Sequence, residues 1–511
     1  MRGSLPRLTE PGIFNGRLSL RIWVQHMTDL FHDVRFGMRT LAARPGFTAI
    51  AVLVLAIGIG ANSAVFSVVN AVLLRPIPFT DSARLVLFWN RSPGLNIAQD
   101  WLSPAEYFDV KDQTQVFEDA AIAFVNTYNL STFSPDGDSR PERVGGATVS
   151  ASLFSLLGCD PSAGRAFLPE DEVYGAARTA IISDSLWRRR FAADTHLLGQ
   201  SIMVDGVDYT VVGIIPRDFA LNNETLPAYH PVQNIDVLMP LRLPATAAND
   251  RDHEDYTVIA RLKKGVTPAR AQAAVDTVTA RLRQDFSDHY PSNSGFTISV
   301  VPMLEHSVKD VKVALLVLTG AVGLVLLIAC ANVAGLLLSR GETRKQEIAI
   351  RTALGASRPR LIRQFLTENL LLSLIGGALG LLLALWGISG MRSLNPGNVP
   401  RVAEINIDPR VLAFALVTTV LTGVVFGLVP ALKGSQVNVS ESLKESGRDS
   451  HGGAASRRAR GAVVVAEVAI SLILLTGAGL LVRSFSRLQA VDPGFSAAGV
   501  FSMRLSLAGP K

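Results

Sequence analysis

Few residues in this 511-residue sequence have the type and spacing that chemistry needs. No G-x-x-x-x-G-K-[ST] run occurs, so no loop of backbone amides is available to cradle nucleotide phosphates. Neither a G-x-S-x-G elbow nor an H-E-x-x-H pair is present, which removes the usual routes to an activated serine and a catalytic zinc. The eight histidines are scattered. Asp252-His253-Glu254-Asp255 gathers ligand types but lacks the paired spacing that metal ligands need, and reads as a solvated loop. The sequence therefore assigns no catalytic residue, no metal site and no cofactor bound by the chain itself.

Polar and small residues inside apolar runs are the next candidates. Glu467 is the single acid in its run, and burying such a charge at mid-membrane costs about 3 kcal/mol. Its nearness to Arg460 also suits the membrane interface. Asn62, Asn70 and Asn332 have side chains able to bond between helices. Gly376/Gly380, Gly423/Gly427 and Gly58-Ile59-Gly60 supply the small residues that let helix backbones approach closely.

The elements that must position these residues are membrane spans. The chain is 48% hydrophobic and only 18% charged, against roughly a quarter charged in soluble proteins. A bilayer core of about 30 Å takes about 20 apolar residues in helix. Phe47–Leu74, Val313–Ser339, Asn369–Met391 and Val411–Leu432 carry no charge, and Ala462–Val482 carries Glu467 alone. Lys and Arg collect on the cytoplasmic side of short loops. They follow the second run (Arg340, Arg344, Lys345, Arg351, Arg358, Arg360, Arg363) and the fourth (Lys433, Lys444, Arg448, Arg457, Arg458, Arg460). Alternating crossings then place the N-terminus in the cytoplasm, and Arg75–Lys312, Arg392–Arg410 and the C-terminal tail outside. The net charge of +6 is thus a topology signal, not a sign of a nucleic-acid partner.

Arg75–Lys312 reads as a folded α+β domain. Thr179–Ile182, Ile202–Val204, Tyr209–Ile215, Thr257–Leu262 and Phe296–Val301 have strand character, with a hairpin turn at Asp205-Gly206. Pro268 opens a helix to about Phe286 with Ala271, Val275, Val278 and Leu282 on one face. Two lobes are expected, the interior hairpins forming one of them. The division that follows is a cytoplasmic segment 1–46, a first span 47–74, an outer domain 75–312, spans two to four in 313–432, a polar linker 433–461, a fifth span 462–482 and a final segment 483–511.

The linker, rich in Ser and Gly around Ser446–Ser456, joins two units. Arg457–Phe501 repeats the basic, apolar, exit order of Arg35–Leu74, so a second copy begins here and is expected to be truncated. Cys159 and Cys330 are separated by membrane depth, which predicts no disulfide between them. No short apolar core ending in a cleavage site precedes Met27, and the first run reads as an uncleaved anchor.

The loop Gly341–Arg363 predicts a short amphipathic helix suited either to a partner's groove or to anionic headgroups, with Gly355 as its stop. Its run Glu347–Ser357, E-I-A-I-R-T-A-L-G-A-S, resembles the signature of FtsX-like permeases of the MacB type. Arg44-Pro45-Gly46-Phe47 with Gly58–Asn62 resembles the start of their first span, and Leu74-Arg75-Pro76-Ile77-Pro78 its end. Ile181–Trp187 and Val211–Pro216 resemble their periplasmic core, so the likeness covers most of the chain. The nearest subgroup is that of duplicated permeases abundant in acidobacteria.

The resemblance implies an inner-membrane permease subunit of an ABC system, an α-helical transmembrane bundle with a large α+β extracytoplasmic domain. It implies a coupling helix at about 341–363 in which Glu347, Ile348, Arg351, Leu354 and Gly355 meet a cytoplasmic ABC ATPase. That ATPase, a separate chain, would hold ATP and Mg, since the N-terminal ATPase of MacB-type members is absent. Further implied partners are a second permease unit (homodimer or pseudo-dimer), membrane lipid, a periplasmic adaptor and an outer-membrane channel. Export of antibiotics, peptides or other amphiphiles by mechanotransmission is the expected role. A scaffold that regulates a cell-wall hydrolase, and lipoprotein release, are the alternatives.

Overall fold

The computed structural model describes residues 31–491, apart from 132–140, six positions between 218 and 233, 344–356, 395–400, 402–403 and 435–453. The chain divides into two compact units, one from Arg75 to Asp310 and one from the segments flanking it.

The Arg75–Asp310 unit is built on one 11-stranded mixed sheet. Its strands are β1 Leu85–Ser92, β2 Ile97–Asp100, β3 Phe117–Ser131, β4 Glu142–Val149, β5 Ala163–Gly164, β6 Thr179–Ser183, β7 Ser201–Val204, β8 Val207–Ile215, β9 Val237–Pro240, β10 Thr257–Leu262 and β11 Thr297–Pro302. The main path runs β11-β1-β10-β3-β4-β9-β6-β8-β5, with β2 beside β1 and β7 bridging β3 and β8. Among the described residues, the β4–β9 and β6–β8 pairs are parallel and the other strand pairs antiparallel.

Side chains alternate across this sheet and both faces are covered. Leu85, Leu87, Ala121, Ala123 and Ile259 face one core, completed by Phe154 and Leu157. Val86, Phe88, Ile122, Val258 and Ala260 face a second, closed by Ala271, Val275, Val278 and Leu282 of the helix Pro268–Asp285. A third core gathers Ile182, Leu186, Ile202, Val204 and Val211 where β6, β7 and β8 meet. The expected two lobes are therefore one sheet with three cores. The reason is β3, whose 15 residues pair with β10, β4 and β7 and leave no seam between lobes.

In the flanking unit, a helix over 31–42 (here α1) precedes α2, Pro45–Val69, which ends in a π-helical turn at Asn70–Leu74. With α3 to α6 taken by the helices at 104–113, 152–157, 184–191 and 268–285, the remaining helices are α7 Met303–Thr343, α8 Arg358–Leu394, α9 Pro409–Gly434 and α10 Ala454–Gln489. Four described helices are long and apolar enough to cross a membrane: Pro45–Leu74, Met303–Leu337, Arg358–Leu394 and Gly461–Arg487. The described apolar part of α9, Pro409–Val425, is shorter. Leu41, Val52, Leu55, Ile59, Cys330, Val333 and Leu372 form the bundle core. No residue in the apolar stretch of α10 is fully buried, and Val465 and Leu475 are 69% and 70% exposed. Lipid is as apolar as leucine, so a spanning helix needs no protein cover on these residues.

Candidate functional site

The contacts of α2 reveal how the bundle is strung. Gly376 of α8 meets Leu55, and Gly380 meets Ala56 and Gly60, so α2 and α8 run parallel. On α7 the order is reversed: Gly58 meets Leu326 and Ala329, and Asn62 meets Val322. Likewise α9 opposes α8, with Thr419 on Gly377, Gly423 on Ser373 and Gly427 on Asn369. Directions alternate, so α1, the end of α7 and the start of α8 share one end of the bundle. Leu74 and Asp408 share the other.

The glycines make this approach close. A methyl group on Gly380 would lie 2.8 Å from the Ala56 carbonyl and 2.9 Å from the Gly60 nitrogen. One on Gly376 would come within 2.8 Å of Leu55 Cβ, and one on Gly427 within 2.8 Å of Asn369 Nδ2. On Gly423 it would overlap the Ser373 hydroxyl. Gly58 and Gly60, on opposite faces of α2, serve α7 and α8 respectively.

Asn62 donates to its own helix at Gly58 O (2.9 Å) and across to Val322 O of α7 (2.8 Å). Asn70 donates to Asp408 Oδ2 at the start of α9 (2.8 Å). Asn332 is exposed, turned away from the bundle core that holds Cys330 and Val333. On α10, Glu467 is half-buried, and its Oε1 meets no hydrogen-bond partner among the described residues. Both cysteines are free and buried.

The coupling residues Glu347, Ile348, Arg351, Leu354 and Gly355 lie outside the described residues. At the same end of the bundle, Arg363 Nε of α8 pairs with Asp33 Oδ2 of α1 at 2.8 Å. Gly37 sits so near α8 that a methyl there would reach 2.8 Å from Leu371 Cδ1. The basic start of α8 is thus fastened to α1.

Within the large domain lies a buried polar network that sequence reasoning missed. Ser103 caps the helix Pro104–Gln113, and Glu106 returns a bond to the Ser103 amide in a full capping box. The S-P-A-E run at 103–106 carries that signature and was a usable signal. Glu106 is fully buried and also accepts from Asn90 Nδ2 (2.7 Å) and the Tyr290 hydroxyl (2.8 Å). Burial raises its pKa against the pull of those donors.

Glu254 accepts from the same Asn90 amide at 3.2 Å. Burial, then the nearby Glu106 and Asp100 charges, push its pKa up to about 8. Arg251 closes the network, ion-paired to Asp109 at 2.8 Å and stacked 3.8 Å over the Phe286 ring. The acidic run at 252–255 is therefore split rather than uniformly solvated: Glu254 turns inward while His253 Nδ1 pairs with exposed-side Asp250 at 2.9 Å.

Two family models match this chain in sequence. Residues 48–278 match the MacB-like periplasmic core domain, and residues 319–439 match the FtsX-like permease C-terminal domain. This chain is a MacB-type, FtsX-like permease. Among curated relatives, the Macrolide export ATP-binding/permease protein MacB of Chromobacterium violaceum is 28% identical over 58% of this chain and 42% of its own length. MacB 1 of Yersinia pestis bv. Antiqua is 26% identical over 82% of this chain and 62% of its own. The Pyoverdine export ATP-binding/permease protein PvdT of Pseudomonas syringae pv. tomato is 25% identical over 54% and 39%. The chain thus spans less than two thirds of the length of these relatives. The solved periplasmic region of MacB from Actinobacillus actinomycetemcomitans is similar at 11% identity, covering 45% of this chain and 94% of that one, with a TM-score of 0.31. The permease is a membrane protein: four described helices suit the bilayer, and the strands of the mixed sheet fall between the first and second of them in sequence.

Proposed function

We propose that this permease couples ATP hydrolysis by a separate ABC ATPase to movement of its periplasmic core domain, exporting amphiphiles such as antibiotics or peptides. The observation that carries this reading is the presence in one chain of a match to the MacB-like periplasmic core domain at residues 48–278 and a match to the FtsX-like permease domain at residues 319–439. The three curated relatives named above are export proteins by name, which supports export over the hydrolase-regulating alternative.

The end of the bundle bearing Arg35, Arg39, Arg44, Arg358, Arg360 and Arg363 faces the cytoplasm under the positive-inside rule. The ATPase, carrying ATP and Mg, docks there on Glu347, Ile348, Arg351, Leu354 and Gly355. Partners on the far side are a periplasmic adaptor and an outer-membrane channel, with a second permease unit beside this one in the inner membrane.

The test is purification from native membranes with mass spectrometry of the retained proteins, followed by ATPase assays. A co-purifying Walker-type ATPase stimulated by this chain, and not by its Arg351→Glu variant at equal membrane insertion, is the expected result. Equal stimulation by the variant refutes the docking assignment. A cell-wall hydrolase in place of adaptor and channel refutes the export role.

A further inference from the structure

The last turn of α2 departs from α-helix where the chain leaves the membrane bundle for the periplasmic core domain. Residues Asn70–Leu74 close i to i+5 turns, and such π-bulges recur at functional positions in helices. Asn70 is only 2% exposed. Its amide nitrogen donates to Asp408 Oδ2 at 2.8 Å, while its Oδ1 is buried and meets no hydrogen-bond partner among the described residues. Asp408 is also engaged from the other side: its Oδ1 accepts from the Val411 amide at 2.9 Å and caps α9. One helical turn below, Phe66 stacks on Phe414 with ring centres 4.0 Å apart and planes 9° apart. Two side-chain contacts thus fasten the outgoing end of α2 to the incoming end of α9. One of them leaves a buried acceptor unmatched among the described residues, and an unmet buried acceptor costs free energy that a rearranged contact recovers.

We propose that Asn70 and Asp408 are positioning residues that clasp α2 to α9 at the domain end of the bundle, and that the clasp opens and re-forms as the permease turns over. This rests on the coupling role proposed above. The bulged turn supplies the compliance: a widened turn can tighten to α-helix and rotate Leu74, and with it the start of the periplasmic core domain, once Asp408 lets go. Asp408 keeps its cap on α9 throughout, so α9 itself need not unravel.

Asn70→Cys/Asp408→Cys in the full chain, in native membranes, tests both parts, since the two native cysteines are buried. Oxidation should give the 70–408 disulfide in high yield without nucleotide, and several-fold less in the presence of ATP and vanadate. No disulfide in either condition overturns the clasp, and equal yields in both overturn its opening. Disulfide formation in a chain that recruits no ATPase would refute the coupling role while upholding the resting clasp. A second arm exchanges the groups. Asn70→Asp sets two carboxylates together and should cut ATPase stimulation at least tenfold. Asn70→Asp/Asp408→Asn restores a donor–acceptor pair, keeps an asparagine cap on α9, and should recover most of it. Failure of the exchange to rescue a well-folded chain overturns the positioning role.

Discussion

Gly380→Ala is the sharpest test of the bundle. The added methyl would meet the Ala56 carbonyl at 2.8 Å, the Gly60 nitrogen at 2.9 Å and Gly60 Cα at 3.3 Å. All three are backbone atoms of α2, so no flexible side chain can yield. Ordinary contact begins at 3.4 Å, which leaves the helices roughly half an ångström too close. They must separate, loosening the contacts of Leu55, Ile59 and Leu372 alongside. Overpacking of this kind costs about 1–3 kcal/mol. Gly390 lies on the same helix with nothing within 4 Å of its virtual Cβ, so Gly390→Ala meets open space and gains up to about 1 kcal/mol in helix propensity. The propensity gain is common to both alanines, so the two should differ by the overpacking cost, about 1–3 kcal/mol, in unfolding of the full chain in mixed micelles. Equal stabilities for Gly380→Ala and Gly390→Ala would refute the α2–α8 contact.

Three further outcomes follow from the same contacts. Asn62→Leu removes the bond to Val322 O and should cost about 0.6–2 kcal/mol in that unfolding assay; a neutral result would mean α7 is held by packing alone. Glu106→Ala should destabilise the periplasmic core domain by about 3–5 kcal/mol, because the Tyr290 hydroxyl and Asn90 amide lose a buried acceptor, and hydrogen exchange at Pro104–Gln113 would report it. The Glu254 carboxyl, with a folded pKa of about 8 against an ordinary 4.5, keeps its proton after the unfolded chain has lost it. Its contribution is complete below about pH 4.5 and disappears as pH climbs to about 8, so Glu254→Gln should flatten thermal midpoints measured across that window; an unchanged slope would place the titration elsewhere.

What the sequence made legible was local or periodic. Pro268–Asp285 shows its buried face at Ala271, Val275, Val278 and Leu282 because an amphipathic helix writes its burial at a fixed spacing. The spans are equally plain, since each is a long uncharged block. By contrast β1 is buried on both faces and reads Leu-Val-Leu-Phe-Trp, a continuous apolar run without the alternation that marks a half-exposed strand. The alanine-rich middle of β3 hides for the same reason, and with it went the continuity of the sheet. Glycine spacing announced that helices approach, yet Gly376 and Gly380 could have met any neighbour; the choice of α2 is set by Leu55, Ala56 and Gly60, more than 300 residues away. Asn70–Asp408 and Glu106–Tyr290 are of that kind too, separated by 338 and 184 residues. Bonds of such range leave no local pattern, because the partners are joined only after both segments have folded. In this permease such pairs sit at the adjoining ends of α2 and α9 and inside the periplasmic core domain, while the periodic signals mark the spans and the amphipathic helix. A fold joined by bonds of this range therefore keeps its spans in plain view and its joints hidden.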